Sequence, residues 1–175
     1  MSKYIAFLRA INVGGRVVKM DTLKELFALP GIKNITTYIQ SGNVVFDATE
    51  KDKSVIAKKI ETKLLKSLGY EVKTFIKTIP DLETIVKQTP FLDYPEDMAQ
   101  HVSFLSEVPD HEKVQQLLAL QTESEQFRFI DNVAYILVKK GAYGETKFSN
   151  TFLEKKLKLD ATTRNWATVN KMLTF

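Results

Sequence analysis

NITTYIQSGNVVFDATEKDKSVIAKKIETKLLKSLGYEVKTFIK, residues 34–77, decides the fold. Two β-rich runs, 34–40 and 44–47, flank Ser41-Gly42-Asn43, and Gly and Asn tolerate the positive φ that tight hairpin turns require. From Asp52 the period changes to helical, with Val55, Ile56, Ile60, Leu64, Leu65 and Leu68 as the apolar stripe. Gly69 stops the helix before a further strand at 71–77. Upstream, KYIAFLRA (3–10) reads as a strand. A glycine-paired loop follows, and then a helix over 21–29 in which Thr22 and Glu25 have capping-box spacing and Pro30-Gly31 forms the stop. The first part of the chain is thus β-α-β-β-α-β.

Downstream the order returns. A short helix opens at Pro80, and TPFLDYPEDM suits a connector. Then come a strand at 101–106, a helix at 110–121, strands at 126–130 and 133–138 around Asp131-Asn132, and a helix over 150–159. The segment 161–175 reads as a capped helix beginning near Asn165 rather than as a fourth strand, with Thr162 or Thr163 as candidate cap. The expected architecture is α+β: two ferredoxin-like β-α-β-β-α(-β) halves, residues 1–88 and 100–175, joined by a connector at 89–99 and completed by an appended C-terminal helix.

Composition narrows the chemistry. With 175 residues, 44% hydrophobic and 26% charged, the chain is expected to fold throughout. The absence of cysteine removes disulfides, thiolate metal sites and a cysteine nucleophile, and fits a cytoplasmic protein. No apolar run reaches membrane-spanning length, so no membrane partner is expected. The net charge of +4 is uneven: residues 1–88 hold 15 Lys/Arg against 9 Asp/Glu, and residues 89–175 hold 10 against 12. An anionic partner and solvated lysine faces both fit that asymmetry.

LRAINVGG (8–15) with Lys19-Met20, TYIQSGNVVF (37–46) and ATTRNWATVNKML (161–173) together resemble the uncharacterised bacterial family called domain of unknown function sixteen ninety-seven. The likeness runs from end to end. Its usual first motif reads LRGINVGG where Ala10 stands here, and Ala167 occupies a place often filled by Asn. The resemblance implies two ferredoxin-like halves and no established activity, substrate or cofactor.

Two polar clusters are the candidate ligand site. Arg9, Asn12, Gly14, Gly15, Arg16 and Lys19 lie in the first strand-to-helix connection, where backbone N–H groups and basic side chains suit an anion. A glycine-turned loop with Asn12 bonded to its own backbone is the alternative. The spacing is neither a Walker A loop nor a dinucleotide fingerprint. Arg164, Asn165 and Trp166 offer a guanidinium fork, a polar side chain and a ring, against a strut and core role. Ser41 and Asn43 complete the set, although Ser41 lacks an activating base. His101 and His111 have no metal-ligand spacing, and no metal is expected. The stretch 141–149, GAYGETKFS, departs from phosphate-loop spacing and reads as a plain connection. Phe75, Phe91, Phe127 and Phe129 lack the RNA-recognition run and read as core.

These features favour a non-catalytic protein binding a phosphorylated small molecule, a nucleotide or a nucleic-acid backbone, with the first loop and the Arg164 segment expected to form one anion site. A small-molecule enzyme with an Arg-lined pocket between the halves and an oligomerisation scaffold remain the other readings. No catalytic residue, cofactor or oligomeric state follows from the sequence.

Overall fold

The computed structural model describes residues 1–12, 14–39, 41–141 and 147–175. It divides into two compact units, Met1–Leu82 with Phe175, and Glu83–Thr174.

In the first unit β1 (Ser2–Leu8), α1 (Met20–Leu26), β2 (Ile32–Tyr38), β3 (Asn43–Ala48), α2 (Lys53–Leu68) and β4 (Thr74–Thr78) build a four-stranded antiparallel sheet of order β2-β3-β1-β4. That order, with a helix after the first and third strands, is the split β-α-β of ferredoxin-like folds. Side chains of one strand alternate between faces, so Tyr4, Ala6 and Leu8 meet Val44, Phe46, Ile56, Ile60 and Leu64 in one core. On the opposite face Ile5 and Phe7 are fully buried as well. The long helix begins and ends as its residues dictate. Asp52 accepts from the N–H groups of Ser54 and Val55, and Gly69 closes the last turn at φ 79°.

The second unit repeats the plan. β5 (Met98–Leu105), α4 (His111–Leu118), β6 (Glu125–Ile130), β7 (Val133–Lys139), α5 (Asn150–Leu157) and β8 (Ala161–Asn165) form a sheet of order β6-β7-β5-β8. Its core joins Leu105, Leu117, Phe127, Ala134, Ile136, Leu153 and Leu157. A helix leaves each fourth strand without a loop: α3 (Ile79–Lys87), which runs from the first unit into the second, after β4, and α6 (Trp166–Met172) after β8. The C-terminal helix is therefore part of the repeating order.

The equivalence extends to single bonds. The Leu8 N–H donates to the Gly42 carbonyl at 2.8 Å and the Leu105 N–H to that of Asn132 at 2.9 Å. Glu61 of α2 accepts from the Thr74 N–H, and Glu154 of α5 from the Ala161 N–H, both at 2.9 Å and both at the first residue of the fourth strand.

Four expectations need correction. Residues 161–165 are a strand, paired with β5 from Leu105 opposite Ala161 to His101 opposite Asn165. Neither Thr162 nor Thr163 caps α6, because Asn165 does, accepting from the Thr168 N–H at 2.7 Å. Thr22 and Glu25 do not cap α1, which starts at Met20 with Lys19 at its N-cap and no side-chain cap. Finally, Val55 and Leu65 are not core: they are 36% and 43% exposed, and only Ile56, Ile60 and Leu64 of α2 are fully turned inward. The segment 89–99 is anchored at its start, with Phe91 buried and the Thr89 hydroxyl accepting from Gln100 Nε2 at 2.6 Å. Among the described residues no helix is long and apolar enough to cross a membrane.

Candidate functional site

The first loop leaves β1 through a left-handed residue, Ala10, at φ 53°. An L side chain there costs about 1–2 kcal/mol relative to ordinary backbone, and glycine escapes that cost. Ala10→Gly is therefore expected to stabilise the fold by about 1 kcal/mol, read as a higher urea midpoint with an unchanged slope. Beyond it, Asn12 spans the loop. Its Oδ1 accepts from the Val18 N–H at 2.6 Å, and its Nδ2 donates to the Val18 carbonyl at 3.4 Å. Asn12 is thus occupied in holding the loop closed, the structural role weighed for it in the sequence.

Inside that closure Gly14 and Gly15 follow one another at φ 69° and 81°, both exposed, with nothing within 4 Å of where a Cβ would stand. Arg16, also exposed, lies over the Tyr70 ring at 4.1 Å, a cation–π contact, while the Tyr70 hydroxyl donates to the Ile11 carbonyl at 3.2 Å. Lys19 is exposed; Arg9 is half-buried, its N–H donating to the Lys73 carbonyl at 2.9 Å. With seven residues, α1 is too short for its dipole to add much.

The hairpin turn sits against this loop. Gly42, at φ 79°, passes so close to Ile11 and Leu8 that a Cβ would stand 2.6 Å from Ile11 Cγ2. The structure thus brings Leu8 and Ile11 against Gly42 at one end of the first sheet. Asn43 is fully buried, and its Nδ2 donates to the Tyr38 carbonyl at 3.0 Å and to Ser41 Oγ at 2.9 Å, so it holds the turn. Ser41 itself is exposed. Next to the turn stands Ile39 at φ 51°, a β-branched residue in the left-handed region and 44% exposed. Strain of this kind persists only where the surroundings fix it.

Arg164, Asn165 and Trp166 belong to the second unit and divide their tasks. Arg164 is 6% exposed; its Nη1 donates to Thr162 Oγ1 at 2.9 Å and to the Thr163 carbonyl at 2.8 Å. Burial lowers its pKa to about 10, because the charged form is desolvated. Asn165 is the cap of α6, and Trp166 is half-buried at the first turn of that helix.

A cation the sequence did not single out occupies the same place in the first unit. Lys77 on β4 pairs with Ile5 of β1 as Arg164 on β8 pairs with Val102 of β5, and each cation is the fourth residue of its strand. Desolvation lowers its pKa as well, against a raising influence from Asp81. Aligning TFIKT with ATTRN would have found it, but that alignment requires seeing 161–165 as a strand.

The remaining candidates are dispersed. His101, on β5, packs its ring 5.9 Å from that of Phe148, with Nδ1 buried and unpartnered, and desolvation lowers its pKa. His111 is exposed at the start of α4. Phe127 and Phe91 are buried, whereas Phe75 and Phe129 are half-buried. Of the 141–149 stretch, residues 142–146 lie outside the described residues; Ser149 caps α5 by accepting from the Phe152 N–H at 3.0 Å.

Fold and loop together define a tandem ferredoxin-like protein with a glycine-turned loop at one end of its first sheet. The family model described as "Protein of unknown function (DUF1697)" matches residues 1–135, and the chain belongs to that family. Among solved structures it is similar to "conserved bacterial protein SP0830 from Streptococcus pneumoniae", with 20% identity, a TM-score of 0.79, and coverage of 99% of this chain and 97% of that one. At that identity the likeness concerns the fold. No curated protein matches the sequence significantly.

Proposed function

We propose that the protein is a non-catalytic binder of a phosphorylated ligand, held by the loop between β1 and α1. The observation that carries this reading is the pair Gly14-Gly15: two successive left-handed residues, exposed, with open space where side chains would stand. Backbone turned in this way presents N–H groups that no Cβ shields, and such concavities hold anions. Arg16 and Lys19 add positive charge, and the Asn12 clamp fixes the loop in advance, which lowers the ordering cost of binding. Arg9 and Ser41 border the loop as further donors.

A ligand that binds only the folded state stabilises it by mass action, by about 1.4 kcal/mol at ten times its Kd. Inorganic phosphate, and separately a nucleoside diphosphate, should raise Tm in a concentration-dependent way. Arg16→Ala and Lys19→Ala should remove most of that rise, and Lys155→Ala on the exposed face of α5 should leave it intact. A Tm indifferent to both anions, or a rise that Arg16→Ala and Lys19→Ala leave intact, would sink the reading. Arg164→Ala separates the second cluster: if it lowers Tm equally with and without phosphate, Arg164 is a strut of the second unit.

A further inference from the structure

The positive excess of the first half is concentrated away from that loop. Helix α2 carries Lys53, Lys58, Lys59, Lys63 and Lys66 against a single carboxylate, Glu61. Glu61 is turned onto the Thr74 N–H, and Lys53 pairs with Asp81 at 2.8 Å. The other four lysines form no ion pair among the described residues.

These four rim a groove of about 620 Å³, whose other lining is Leu29, Pro30, Val55 and Thr62. Val55, Lys59, Thr62 and Lys66 follow at i, i+4, i+7 and i+11, so they form one stripe about 16 Å long on the helix surface. The Thr62 hydroxyl donates back to the Lys58 carbonyl at 2.7 Å and is satisfied without a ligand. Val55 is a residue whose helical spacing fits the core stripe, yet it is 36% exposed at one end of this groove.

We propose that this groove docks an acidic amphipathic helix of a partner protein, its apolar stripe on Val55, Leu29 and Pro30 and its carboxylates on the lysines. Charge complementarity is the first argument: four lysines, none of them in an ion pair among the described residues and only Lys59 under the influence of a further carboxylate, Glu50, flank an apolar floor. The second is shape. The groove lies open along three helical turns, which suits a helix laid in it, whereas small-molecule sites enclose most of their ligand. Nucleic acid is disfavoured because no aromatic ring lines the groove to stack a base. A concave surface likewise fits a rod better than a flat bilayer. The site is separate from the loop, and neither result bears on the other.

The test uses the full chain, labelled with nitrogen-15, and an 18-residue peptide with leucines at i, i+3, i+4 and i+7 spacing and glutamates elsewhere. Saturable, salt-sensitive amide shifts confined to residues 29 and 55–66 are expected. Lys59→Glu/Lys66→Glu and Val55→Asp should each weaken binding at least tenfold while leaving the melting curve cooperative; Lys155→Glu/Lys156→Glu on α5 should not. The proposal fails if a scrambled peptide of the same charge binds equally, or if the shifts spread over every lysine-bearing face. It also fails if oligothymidylate or anionic vesicles fill the groove when the peptide does not.

Discussion

Gly42→Ala is expected to destabilise the protein by about 3 kcal/mol, the sum of two costs that arise at one atom. The backbone there is left-handed at φ 79°, which costs an alanine about 1–2 kcal/mol. The added Cβ would also stand 2.6 Å from Ile11 Cγ2 and 3.0 Å from Leu8 Cβ, and relieving such overpacking costs typically about 1–3 kcal/mol more. Ile11 is 1% exposed and Leu8 fully buried, so neither side chain has room to retreat. The obstructing groups belong to the segment that seats the first loop, and the Gly42 carbonyl accepts from the Leu8 N–H. The substitution should therefore also abolish the phosphate-dependent rise in Tm, although it removes no group proposed to touch phosphate. Gly14→Ala is the matched control. Its Cβ would meet nothing, so only the backbone strain of about 1–2 kcal/mol is expected. Urea unfolding of the three proteins decides the matter. A Gly42→Ala cost no larger than that of Gly14→Ala would mean that Ile11 gives way and the turn does not hold the loop.

The same turn shows what a sequence can and cannot disclose. Gly42-Asn43 announces itself, as do Asp52 and Gly69 at the ends of α2, because in each case one residue type satisfies a local requirement by itself. A sequence discloses less where the satisfying group belongs to no local motif. ATTRN lacks the alternating apolar residues of a buried strand, yet it is one. Its polar side chains are satisfied in place, Thr163 Oγ1 lying 3.1 Å from both Ser103 Oγ and Asn150 Oδ1, and Arg164 bonding Thr162. Helix α1 escaped its capping-box prediction because the Asn12 clamp on Val18 fixes the chain just ahead of the helix. Val55 and Leu65 match the period of the helix but fall at the edges of its stripe, where packing ends. The candidate site was legible as far as its glycines and cations. The role of Asn12 as clamp was one of two open readings, and the partnership of the first loop with the hairpin turn depended on the register of β1 against β3.

Removing the carboxylate that closes either fourth strand should cost about 2 kcal/mol in each unit, and the two losses should be similar because the device is the same. Glu61 Oε1 accepts from the Thr74 N–H and Glu154 Oε1 from the Ala161 N–H. Thr74 is 7% exposed and Ala161 fully buried, so water cannot replace either acceptor without rearrangement. A hydrogen bond to a charged group contributes about 1.5–3 kcal/mol, and an orphaned buried N–H costs about as much. The pairing partners of these two residues are Leu8 and Leu105, the last residues of the central strands, so each bond fixes where the fourth strand starts. Register in turn places Lys77 opposite Ile5 and Arg164 opposite Val102. Glu61→Ala and Glu154→Ala should thus expose the first-residue amide of β4 or β8 to hydrogen exchange well before the rest of its sheet. Gln at either position retains a carbonyl acceptor and should recover roughly half of the loss, since a neutral acceptor is about half as strong as an ionised one. Hydrogen exchange followed residue by residue in the Ala and Gln variants reads both effects. If Glu61→Ala leaves the Thr74 amide as protected as in the parent, the carboxylate does not close the strand, and the bond-by-bond equivalence of the two units ends at their backbones.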